Sequence, residues 1–154
     1  MSIRTLCACI IAAIAVAPAV SAQSSTPLNE FQQQVDNQLN DAEAVLAQEG
    51  YVQVERYIDQ RGLSENESRD RRLQLDTNQD YVIAAVCDSD CSDLDLVLYA
   101  GSSEVARDTA SDAYPVLTLR PQAQAHQIEV TMYGCEAAPC YFGFGVFRQR
   151  APLR

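Results

Sequence analysis

From residue 26 to residue 49 the apolar positions recur in steps of three and four. Leu28, Phe31, Val35, Leu39, Ala42 and Leu46 fall on one stripe, with Gln32, Gln33, Asn37, Asp41 and Glu43 off it. That spacing predicts one amphipathic helix over 26–49. Thr26 is placed to cap it, and Pro27 takes the first helical position, where a missing N–H costs nothing. Gly50 is a natural stop. After Gly50 the period drops to two. YVQVERYI, RRLQLD, YVIAAVC, LDLVLYA, PVLTLRP, QIEVTMYG and YFGFGVF follow, separated by turn-forming stretches such as SENES, DTNQD, AGSSE, DTASDAYP and RPQAQA. About seven short strands with no second helical pattern between them predict an all-β domain, an antiparallel β-sandwich with one N-terminal helix.

Alternation also assigns faces. Leu94, Leu96 and Leu98 share one face of their strand, as do Ile128, Val130 and Met132 on another. In the last strand Phe142, Phe144 and Val146 point one way. Gly143 and Gly145 leave the other side open for close packing.

The residues ahead of the helix follow a different rule. Arg4, the apolar run LCACIIAAIAVA and the small-x-small site Val20-Ser21-Ala22 form a leader over 1–22. The expectation is an exported chain, periplasmic or extracellular and bacterial, beginning at Gln23 after cleavage. Removing 22 of the 154 residues leaves 132, enough for one domain with one core. The divisions are a helix segment 23–50, a β-sandwich 51–148 and a loose tail 149–154. No later stretch is apolar for long enough to span a bilayer.

Charge removes several classes of function. The chain carries 21 acids against eleven cations, all of them arginine. That balance argues against nucleic acid and anionic membrane as partners. Without lysine there is no Schiff base or Ser-Lys pair. The single histidine, His126, cannot supply two imidazole ligands, and leading into a strand it reads as a surface residue. No nucleophile elbow, zinc-protease helix or phosphate-cradling loop is present.

Two features remain that carry chemistry. Cys87, Cys91, Cys135 and Cys140 are an even set in an exported chain, which reads as two disulfides. Three connectivities are open; 87–91 and 135–140 are favoured because each brackets one turn. Four extended residues span about 13 Å, whereas a bridge needs Cα atoms within about 7 Å. A Cys87–Cys91 bridge therefore forces Asp88-Ser89-Asp90 into a turn. Zinc held by the four thiolates is disfavoured by the three- and four-residue gaps. Threaded among these cysteines are Asp88, Asp90, Asp93 and Asp95, a candidate calcium set with Asp108 and Asp112 within reach. The competing interpretation is turn bonding plus solvated charges. Asp76-Thr77-Asn78-Gln79-Asp80 begins like a calcium loop, but Tyr81 replaces its glycine and Cys87 its final glutamate, so a hairpin turn is expected.

From about Tyr57 to Phe147 the order YVIAAV, DLDLVLY, EVARD, PVLTL, IEVTMYG and YFGFGVF resembles the bacterial pre-peptidase C-terminal domain. DLDL with a following aromatic is its most specific element. The resemblance implies a jelly-roll-like sandwich, noncatalytic, appended to secreted peptidases and other exported enzymes. Such domains assist secretion, bind polymeric substrate or bind calcium. No protease domain accompanies the pattern here, so a stand-alone version is expected, with the helix in its place and the cysteine pairs added. The expected function is an exported noncatalytic binding or structural module whose partner is an exported protein or a polymeric ligand. The alternatives are a small hydrolase using acidic residues, and a partner or inhibitor subunit docking through its helix.

Overall fold

The computed structural model describes residues 27–150. The leader 1–22 and most of the expected tail lie outside that range. Within it, one helix and eight strands form three layers. The helix α1 (Glu30–Gln48) precedes β1 (Tyr51–Ile58), β2 (Glu67–Gln74), β3 (Tyr81–Cys87), β4 (Cys91–Ala100), β5 (Ser103–Asp108), β6 (Val116–Leu119), β7 (Ala125–Cys135) and β8 (Phe142–Gln149). One sheet runs β1-β8-β3-β6 and the other β2-β7-β4-β5, and every neighbouring pair is antiparallel. Only β4 and β5 are consecutive strands of the same sheet. Every other connection crosses between sheets, the winding of a jelly roll.

The expected faces are the observed ones. Leu94, Leu96, Leu98, Ile128, Val130, Met132, Phe142, Phe144 and Val146 meet between the sheets in one core. The sheet containing β3 is apolar on both faces, and YVIAAVC is buried throughout because α1 covers its outer side. Val35 and Leu39 of the helix stripe pack on Val86, and Leu46 on Val82, Ala84 and Phe147. Gly143 makes this docking possible. A Cβ there would stand 2.7 Å from the Tyr57 carbonyl and 2.8 Å from a Val35 methyl. Arg56 fastens the helix from β1 through Asp36 at 2.8 Å and Asn40 at 2.9 Å.

Several expectations need correction. The helix starts at Glu30, not at 26–27. Asn29 accepts from the Gln32 N–H while its own N–H donates to Gln32 Oε1, a reciprocal capping box; the expected cap, Thr26, lies outside the described residues. Gln32, placed off the stripe, is buried because its amide donates to the Asp59 carbonyl at 2.9 Å. There are eight strands, not about seven. AGSSE holds the β4–β5 turn and the start of β5, whose exposed edge position gives it little apolar signal. β2 begins four residues before RRLQLD. Residues 76–80 are not a hairpin turn but a crossing between sheets, closed by an Asx turn at Asp76. His126 is buried at the end of the inner face of β7, since alternation from Ile128 points it inward. The last strand runs through Gln149, and the Arg150 N–H bonds to Gly50, so the β-domain extends past 148.

Candidate functional site

The stretch VCDSDCSDLDL folds as the β3–β4 crossing. Cys87 and Cys91 are bridged with Cα atoms 5.9 Å apart, and Cys135 and Cys140 are bridged at the same separation across the β7–β8 crossing. The favoured connectivity is therefore the observed one. The two corners lie side by side, because β4 pairs with β7 and sets Cys91 opposite Cys135. Backbone bonds stitch them together: Glu136 N–H to Asp90 at 2.8 Å and Asp88 N–H to Tyr141 at 3.0 Å.

Asp88 holds this junction from inside. It is buried; Oδ1 accepts from the Asp90 N–H and Oδ2 from the Tyr141 N–H. Burial raises its pKa above the ordinary carboxylate value, and the backbone N–H groups oppose that rise. Asp93 and Asp95 go elsewhere. They project from β4 on the solvent side of its sheet, with Leu94 and Leu96 turned inward. Asp95 is also raised, first by burial and then by Asp93 and Asp108. Asp112 turns its carboxylate to the Tyr114 N–H, and its carbonyl accepts from Leu94. The four aspartates are thus split between a buried turn and an outer strand face. Among the described residues no group of three or more His, Cys, Asp or Glu is arranged to hold a metal ion.

A second buried carboxylate reinforces the same end. Asp59 Oδ1 accepts from the Arg61 and Gly62 N–H groups at 2.9 and 2.8 Å, and Oδ2 from the Tyr57 hydroxyl at 2.7 Å. Arg69 Nε lies 3.5 Å away, and the Arg71 guanidinium sits over the Tyr57 ring at 4.1 Å. Burial, then the bond to Asp59, pushes the Tyr57 hydroxyl up to about 12. The turn joins the disulfide corner through Leu63, which exchanges backbone bonds with Cys140. Asp59 is not marked by hydrophobic periodicity or by any catalytic or metal-binding motif. Its signal is an aspartate two and three residues before the N–H groups of Arg61 and Gly62, an Asx-type turn.

Away from this end, α1 and the sheet leave a groove of about 490 Å³. Its floor is Val82, Ala84 and Val86 of β3; its walls are Ala42, Val45 and Leu46 of the helix, Val116 of β6 and Tyr114 just before it. The helix covers β1, β8 and β3 but does not reach β6. Val45, Tyr114 and Val116 are consequently 57%, 61% and 47% exposed. Two polar residues line one stretch, Gln38 and Asp41, and no cation does. Gln38 donates its amide to the Cys87 carbonyl at 2.8 Å, which leaves its Oε1 buried without a donor. Periodicity does not reveal this groove, since Val45 falls off the stripe and only the fold brings it opposite Val116.

Two smaller cavities lie at the Arg61–Arg69 turn and beside His126. None of the three is lined by more than one carboxylate. No helix among the described residues is long and apolar enough to cross a membrane. Comparison with protein-family models and with curated proteins finds no match.

Proposed function

We propose that this protein is an exported, noncatalytic binding module of the pre-peptidase C-terminal type, which recognises an exported protein through the groove between α1 and β6. The groove itself carries this proposal. Its apolar lining stays open to solvent although Val35 and Leu39 of the helix stripe are buried on the chain's own sheet. Open apolar surface of this kind, rimmed by polar groups, marks interaction sites. The jelly-roll winding and the two disulfides accord with the family pattern and with an oxidising compartment. Hydrolysis by paired acids would require convergent carboxylates in one cleft, and the three cavities supply one carboxylate at most. Docking through the helix stripe would require Val35 and Leu39, which are buried at home.

The test is a neutral environment-sensitive dye such as Nile red. Its emission should rise and shift to the blue on the folded protein, and the double substitution Val45→Asp/Val116→Asp should abolish the change. A signal unaltered by those two substitutions would remove the groove from consideration.

A further inference from the structure

We infer that the occupant of the groove is a polypeptide segment that combines apolar side chains with a lysine or arginine, seated so that its cation meets Asp41. The inference rests on the groove being the recognition surface and adds the chemistry of what it recognises. Three observations carry it.

The first is hydrogen-bond polarity. The Gln38 amide nitrogen is spent on the Cys87 carbonyl, and its Oε1 is enclosed by the protein. The charged group left open to a ligand is Asp41, exposed on the next turn of the same helix, and it offers only acceptors. The second is charge. Asp41 is the one charged residue lining the groove, and the whole chain is strongly acidic, 21 acids against eleven arginines. Fatty acids and anionic lipid headgroups would bring further negative charge and acceptors to a rim that has no cation. A second copy of this chain would bring the same net negative charge. Cationic groups are attracted at long range and paired on arrival. The third is shape. From Gln38 to Val45 the helix wall runs about 10 Å at the α-helical rise, with apolar side chains on both sides beyond the polar pair. That length admits several apolar side chains next to one cation.

A random 12-residue peptide library displayed on phage, panned on the disulfide-intact protein with counter-selection on Val116→Asp, tests this directly. Val116 is half exposed, so the variant is expected to fold, and its melting curve should overlay the wild type. Groove-dependent binders should pair apolar residues with at least one lysine or arginine. A synthetic binder should lose about tenfold or more in affinity for Val45→Asp, which places a charge in the apolar wall. It should lose about two- to fivefold for Asp41→Asn, the range of a solvent-accessible ion pair. Groove-dependent binders free of cations, or binders indifferent to Asp41→Asn, would overturn the inference while leaving the groove as a binding surface. A library with no groove-dependent binder at all would overturn both.

Discussion

The two ends of the helix layer use polar groups in opposite ways. At the disulfide end, Asp59 and Asp88 are buried and their carboxylate oxygens accept turn N–H groups or the Tyr57 hydroxyl. Three crossings (β1–β2, β3–β4 and β7–β8) meet there and are bonded to one another. At the groove, Gln38 Oε1 has no donor and the apolar walls have no cover. The buried carboxylates of one end bond to the fold, and the apolar walls of the other stay open to solvent. Within the acidic cluster conspicuous in sequence, Asp88 holds the fold together, and the inconspicuous Val45 marks the open surface.

The comparison can be broken from either side. Reducing both disulfides should have the largest effect. Each closes a small loop worth about 2 kcal/mol in the chain-entropy model, so urea unfolding should show a loss of about 4 kcal/mol. A loss near zero would mean that hydrogen bonds alone hold the corners. Gly143→Ala should cost about 1–3 kcal/mol, because the new methyl meets the Tyr57 backbone and the Val35 and Leu39 side chains. The same substitution should widen the groove by lifting α1, visible as altered dye binding. Asp88→Asn should cost about 1–2 kcal/mol, since the amide can satisfy only one of the two N–H donors. An unchanged denaturation midpoint would contradict the role assigned to the carboxylate.

Alkaline pH gives a smaller and more specific signal. An unfolded tyrosine releases its proton near 10.0, whereas folded Tyr57 holds its proton to about 12. Over that interval the unfolded chain binds fewer protons, so stability falls as pH rises. Ultraviolet titration should show Tyr57 ionising late, and Asp59→Asn should lower its pKa in part, since burial, the larger cause, remains. The smallest effect belongs to the groove. Val45→Asp and Val116→Asp should each change stability by less than about 0.5 kcal/mol, as exposed substitutions do. A large loss would show that the groove walls support the fold.

Much of the architecture was legible in the chain. The leucines of β4, the Ile128-Val130-Met132 face and the phenylalanines of β8 all point where alternation put them, and the cysteines bridge within their own turns. The candidate site was legible only in part. The turn at Asp88 and the shared strand face of Asp93 and Asp95 were readable, but not that Asp88 is buried while Asp90, Asp93 and Asp95 are half-buried. His126 and Gln32 seemed to be surface residues because their burial depends on what lies opposite, on the other sheet or at Asp59. Alternation did not mark β5, although EVARD entered through the resemblance, because an exposed edge strand has little apolar contrast.

What the sequence determined by itself are properties set by near neighbours: element type, inward and outward faces, and the short loops that two cysteines can close. Periodicity and chain reach are local, and they act before any tertiary contact exists. The tertiary structure decided which corners adjoin, which carboxylates lose their water, and where the helix stops short of β6. Those outcomes depend on residues far apart in sequence arriving in register. No single stretch of the chain carries that information.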